Sequence, residues 1–198
     1  MKEVKLHLGC GPVYLEGWIN IDIYQNGYTY LAKERKDLLE YNKTTVDKYY
    51  KYLFGKRKSD FVVVDQYFDL TQVPYPFKDN SVDKILIVET FEHFSQDEGM
   101  ILLKEWYRIL NKKGGEVLID IPDLIGTFRL LENAKTIEEM NWAIRLIYGS
   151  QKNAFSFHKW GYTFKTISEL CRSSGFKKIE IVDLIKHDYP TFMVKAIK

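Results

Sequence analysis

The chain has 198 residues, 45% of them hydrophobic and 15% aromatic, enough for one substantial core within the usual size of a single domain. Its 29 basic and 27 acidic residues leave a formal charge of +2, too balanced for a nucleic-acid footprint over the whole surface. Cys10 and Cys171 lie too far apart in sequence to suggest a disulfide framework or a zinc-binding pair, and no apolar run approaches the roughly 20 residues that span a bilayer.

These bounds lead us to expect one domain over residues 1–198, without a metal, entering a strand at once with no secretory leader, in the cytoplasm. In chain order, short β-rich runs fall at 4–9 (VKLHLG), 18–23 (WINIDI), 61–65 (FVVVD), 84–89 (KILIVE) and 116–122 (EVLIDIP). Several are almost continuously apolar, as strands of a parallel sheet buried on both faces must be. Between the last two, Met100, Leu103, Trp106, Tyr107 and Leu110 recur at helical spacing, and Gly114-Gly115 supplies a stop. Two helical stretches follow residue 123, then a third near 163–176 in which Thr166 and Glu169 fit a capping box. Strand-like runs at 177–185 and 191–198 are joined by KHDYP, a link too short for a parallel crossover. The predicted fold is α/β, a mostly parallel sheet with one antiparallel strand near the C-terminus and helices on both faces.

Residues 24–60 interrupt this rhythm with seven tyrosines and nine Lys/Arg against five Asp/Glu. They read as an insertion, either a solvated helical cover on the sheet edge or a lid or acceptor-binding surface.

The first strand breaks into Gly9-Cys10-Gly11, and Asp22 ends the second apolar run. A dinucleotide site needs a third glycine and an acid about 20 residues on. Here Tyr14 stands at the third glycine position, and Asp22 follows Gly9 by only 13 residues. A bare turn with a nearby carboxylate suits an adenosine ligand whose ribose diol meets Asp22 and whose compact, phosphate-free tail lies over the turn; S-adenosylmethionine is such a ligand. The bland readings are that Asp22 caps a turn, Asp69 caps a short helix, Glu89 is a rim acid and Cys10 is a packed small residue.

LHLGCGP, GWINIDI, DLTQVPYPFKDNSVDKILIVETFEHF, ILNKKGGEVLIDIPD and SSGFKKIEI, in that order, resemble the successive motifs of class I S-adenosylmethionine-dependent methyltransferases. They are most similar to a small bacterial, type 11-like group with Gly-Cys-Gly and Gly-Trp-x-Asn-x-Asp motifs, often encoded with polysaccharide or secondary-metabolite genes. The resemblance implies a Rossmann-like seven-stranded sheet. It also implies cofactor contacts from Leu8, Gly9, Cys10 and Gly11 at the methionine end, from Asp22 and Ile23 at the ribose, from Asp69 and Leu70 at the adenine, and from Glu89 near the methyl group. The short link between Gly11 and Asp22 departs from the usual pattern and leaves little room for the first helix. The implied chemistry is in-line attack of an acceptor on the sulfonium methyl, with the protein supplying alignment and desolvation. A hydroxyl acceptor also needs a base, and His93 and His158 are the candidate catalytic residues. His158 is favoured, because Phe155, Phe157, Trp160 and Tyr162 beside it suit a sugar or aromatic ring. The expected partner is a small-molecule or saccharide acceptor; the alternatives are an RNA- or protein-modifying enzyme and a non-catalytic, cofactor-binding partner subunit.

Overall fold

In the computed structural model, which describes residues 3–49, 51 and 60–198, the apolar runs pair into one seven-stranded sheet. Its strands are β1 (Lys5–Leu8), β3 (Ile19–Asp22), β7 (Gln66–Tyr67), β8 (Lys84–Val88), β9 (Glu116–Pro122), β10 (Lys178–Val182) and β11 (Thr191–Ile197). They lie in the order β10-β11-β9-β8-β1-β3-β7, and β11 alone runs antiparallel to its two neighbours. This is the expected Rossmann-like arrangement.

Side-chain alternation divides the strands between two cores. Leu6 and Leu8 of β1 align with Ile85 and Ile87 of β8, which align with Val117 and Ile119 of β9. All six point to the face covered by α2 (Gln96–Ile109) and α5 (Phe164–Ser173), where Trp106, Leu102, Leu103 and Ile167 are buried against them. On the opposite face Leu86, Val88, Leu118 and Met193 meet Val13, Leu15, Tyr49 and Ile185. Among the described residues the second cover comes from β2 (Tyr14–Leu15), a helical turn at 46–49 and the loop holding Ile185.

Several local expectations are corrected. The segment 62–64 does form a strand, β6 (Val62–Val64), but it pairs with β4 (Thr29–Leu31), while β7, two residues further on, takes the sheet edge beside β3. The insertion creates this difference, because it supplies β4 as a partner. Helix α2 ends at Ile109, before Gly114-Gly115, with Leu110 already extended; Gly114, at φ +95°, serves the turn into β9. The box that opens α5 is Thr163 with Thr166, three residues ahead of the expected pair. Matching boxes, Ser95 with Glu98 and Thr136 with Glu139, open α2 and α4 (Ile137–Tyr148).

Within the insertion lie β4, α1 (Lys36–Asn42) and β5 (Lys43–Thr44), which pairs with β2. Helix α1 is the part of this segment, expected as a helical cover or a lid, that is described as an α-helix; residues 50 and 52–59 lie outside the described residues. No described helix is long and apolar enough to cross a membrane. Helices α3 (Leu124–Asn133) and α4 pack against each other, with Ile125, Phe128, Ile137 and Tyr148 exposed.

Candidate active site

The turn after β1 has Gly9 at φ +61° and Gly11 at φ +51°, a region disfavoured for residues with a Cβ. A Cβ on Gly9 would run into Thr90, whose hydroxyl donates to the Gly9 carbonyl at 3.2 Å; around Gly11 there is open space. Asp22, at the end of β3, fixes the turn. Its Oδ2 accepts from the Gly11 N–H and its Oδ1 from the Ile23 N–H, both at 2.7 Å. Burial pushes the Asp22 carboxyl up from its ordinary value, against the pull of those two N–H groups. The acid that sequence reasoning assigns to a ligand is therefore also the clasp of the glycine turn.

The turn opens into a cavity of about 480 Å³ at the carboxyl ends of the strands. Gly9, Cys10, Gly11, Asp22 and Ile23 form one wall, and Asp69 and Leu70 another. Asp69 Oδ1 accepts from the Thr71 N–H at 2.9 Å and its hydroxyl at 2.8 Å, so the side chain also shapes its own loop. Glu89, Thr90 and His93 form the third wall.

Glu89 adopts φ +46°, unusual for a residue with a side chain, and its N–H donates to the Asp120 carbonyl at 2.9 Å. Burial first, then Glu92 and Asp120, push its carboxyl well above the ordinary range. Behind it Asp120 meets His187 Nε2 at 2.8 Å. Three residues along, burial pushes the Glu92 carboxyl up to about 8.

His93 and His158 come together. Their rings meet edge to face with centroids 4.8 Å apart. The loop carrying His158 is stapled to the first histidine's turn: His93 Nδ1 lies 2.8 Å from the Phe157 carbonyl, and Lys159 N and Trp160 N donate to the Glu92 carbonyl at 2.8 and 3.2 Å. Gly149, at φ +78°, permits that loop, because a Cβ there would strike the Ser156 backbone. Burial, then the neighbouring His93, push His158 down to about 4.

Of the sequence-predicted residues, Gly9, Cys10, Gly11, Asp22, Ile23, Asp69, Leu70, Glu89 and His93 border the one cavity. Leu8 does not; it is fully buried in the core beneath the turn. His158 stands behind His93, in a smaller void shared with Glu92 and Tyr162. Sequence reasoning missed Tyr49, a residue of the insertion that lines the cavity, and Glu92. Glu92 could have been read from ETFEHF, where it precedes His93. The contacts of Tyr49 depend on tertiary packing alone.

The sequence matches the family described as "Methyltransferase domain" over residues 6–119, more than half of the chain and including the glycine turn, Asp22, Asp69 and Glu89. The chain belongs to the methyltransferase-domain family. It is a class I methyltransferase, with S-adenosylmethionine as its cofactor. No curated protein matches the sequence of this methyltransferase. Solved structures share its fold at low identity. An S-adenosylmethionine-dependent methyltransferase from Archaeoglobus fulgidus is 15% identical with a TM-score of 0.57, covering 99% of this chain and 86% of its own. One from Thermotoga maritima, described as a possible histamine N-methyltransferase, is 16% identical with a TM-score of 0.50, covering 100% and 83%. Human N-acetylserotonin methyltransferase, in complex with S-adenosylmethionine, is 12% identical with a TM-score of 0.53; the match covers 98% of this methyltransferase and 47% of that chain.

Proposed function

We propose that this methyltransferase carries a methyl group to a small-molecule or saccharide acceptor bound beside Glu89 and His93. The observation that carries the proposal is that the Asp22-clasped glycine turn, Asp69 and Glu89 all border one cavity of about 480 Å³, a size typical of small-molecule sites. The fit to the cofactor is chemical. The space around Gly11 admits a zwitterionic tail against backbone, and each Asp22 oxygen, accepting one N–H, keeps a lone pair for a ribose hydroxyl. Asp69 and the Leu70 backbone, which line the same cavity, are the groups proposed to hold an adenine amino group. Bound there, S-adenosylmethionine supplies an electrophilic methyl group on a positively charged sulfur.

The protein's own contribution is to hold the acceptor in line and exclude water. Phe155, Phe94 and the stem of Lys159 line the acceptor side, surfaces suited to a sugar or aromatic ring. A hydroxyl acceptor would be activated at His93, with His158 positioning it from behind through the ring contact. Free cysteines at Cys10 and Cys171 agree with work in a reducing compartment such as the cytoplasm. Calorimetry with S-adenosylmethionine, followed by mass spectrometry of candidate acceptors for an added methyl group, tests the proposal. Micromolar binding with methyl addition to a sugar or phenol supports it. Binding without turnover over a broad panel marks a partner subunit instead, and methylated RNA or protein would replace the acceptor class.

A further inference from the structure

Glu92 is only 2% exposed, yet neither of its carboxylate oxygens accepts a hydrogen bond from another described residue. A carboxylate buried in that state is costly unless something else satisfies it. Two imidazoles share its surroundings. His93 Nδ1 lies 2.8 Å from the Phe157 carbonyl and His158 Nδ1 lies 3.0 Å from the Leu146 carbonyl. A carbonyl accepts only from an N–H, so each neutral ring carries its proton on Nδ1 and its lone pair on Nε2.

His158 Nε2 faces Glu92 Oε1 at 3.8 Å, too far for a hydrogen bond. One ligand atom from each of Glu92, His93 and His158 lies within 4.8 Å of the other two. Imidazoles whose second nitrogen is held by a backbone carbonyl are oriented as metal-ligating histidines are. The backbone staples between residues 92–93 and 157–160 hold the set together.

We propose that Glu92, His93 and His158 bind one divalent cation of the Zn²⁺ class through two imidazole nitrogens and one carboxylate oxygen, leaving at least one coordination position open. The proposal departs from the expectation of no metal, which rested on the absence of a cysteine set; the two histidines are 65 positions apart, a separation no local motif reveals. Ligand atoms about 2.0–2.1 Å from a tetrahedral ion stand about 3.3 Å apart, so the set closes on an ion by small side-chain rotations. Glu89, Asp120 and His187 also cluster, but there the acid and imidazole already meet at 2.8 Å and satisfy each other. With the ion bound, His93 Nε2 serves as a ligand and the ion replaces it in activating an acceptor hydroxyl; that role rests on the methyl-transfer reading, and the binding site does not.

Full-length protein, stripped with a chelator, is titrated with Co²⁺ and followed by its visible absorption. The proposal expects saturation at one Co²⁺ per chain, displacement by Zn²⁺, and affinity reduced roughly tenfold or more in both Glu92→Gln and His158→Ala. The surface variant Glu169→Gln should bind as the parent does. Zn-edge X-ray absorption on the parent protein needs no variant and should show two imidazole ligands. No saturable uptake, full affinity in either folded variant, or fewer than two imidazoles overturns the site. S-adenosylmethionine calorimetry on metal-free protein separates the two readings: cofactor binding without Co²⁺ uptake removes the cation site alone, and the reverse removes the methyl-transfer reading alone.

Discussion

Acid should weaken the attachment of the insertion to the sheet through a single imidazole. His7, in the middle of β1, is fully buried; its Nδ1 meets Asn20 Oδ1 and its Nε2 meets the Tyr49 hydroxyl, both at 3.0 Å. The neutral ring satisfies both partners, donating from Nδ1 to the carbonyl oxygen of Asn20 and accepting at Nε2 from tyrosine. Protonation would set a second N–H against the Tyr49 hydroxyl, in a site where both side chains are buried. Burial accordingly holds His7 down at about 4, against an ordinary 6.5, with the Asn20 hydrogen bond opposing. Because the folded value lies below the unfolded one, the associated stability is present above pH 6.5 and lost as pH falls toward 4. A shift of about 2.5 units corresponds to about 3 kcal/mol, a large share of the 5–15 kcal/mol that holds a typical domain together. Denaturant unfolding of the parent and of His7→Gln at pH 7, 5.5 and 4 isolates this contribution, since other titrating groups cancel in the difference. The stability difference between the two proteins should shrink by about 3 kcal/mol between pH 7 and pH 4. A difference constant with pH to about 0.5 kcal/mol would refute the reasoning.

Asp22→Ala should weaken S-adenosylmethionine binding by roughly tenfold or more in calorimetry, through lost charge-assisted hydrogen bonds, with the far-UV spectrum unchanged. Gly9→Ala should destabilise the fold by about 1–2 kcal/mol or more in denaturant unfolding, and Thr90→Ala added to it should restore part of the loss by relieving the contact. Glu92→Gln should stabilise the metal-free protein at pH 8 relative to pH 5 in thermal unfolding. The Glu92 carboxyl titrates near 8 in the fold, so its stabilising protonated form is lost as pH rises, and glutamine undergoes no such change. His93→Ala should lower turnover of a hydroxyl acceptor roughly 10²- to 10⁴-fold with cofactor affinity nearly intact, and His158→Ala, which removes only the ring that positions His93, should lower it less.

Much of the sheet was legible because the signal was local. Continuous apolar runs such as EVLIDIP require burial on both faces, and β9 spans the same residues 116–122 that the sequence marks. The glycine turn and Asp22 were legible for a similar reason: the chemistry is packed into 14 consecutive residues, and positive φ at Gly9 and Gly11 demands glycine. Where partners are distant in sequence, the reading failed. The sheet edge moved from 62–64 to 66–67 because β4, within the insertion, takes β6 away, and nothing in FVVVD announces that competition. His158 reads as a cavity residue from its aromatic neighbours, yet Gly149 and the staples to Glu92 fold its loop behind His93. Glu92 passed unnoticed because its significance lies in what does not bond to it.

The position of β11 bears on how this protein can be made. Strand β10 precedes β11 in the chain, yet it reaches the sheet only through β11, which lies between β10 and β9. During synthesis, then, β9 presents an open edge until residues 191–197 emerge from the ribosome, and β10 must wait without a partner. An open edge of that length invites pairing between nascent chains on one messenger, so translation stalled before residue 191 should yield aggregates even though the glycine turn, Asp69, Glu89 and both histidines have already been made.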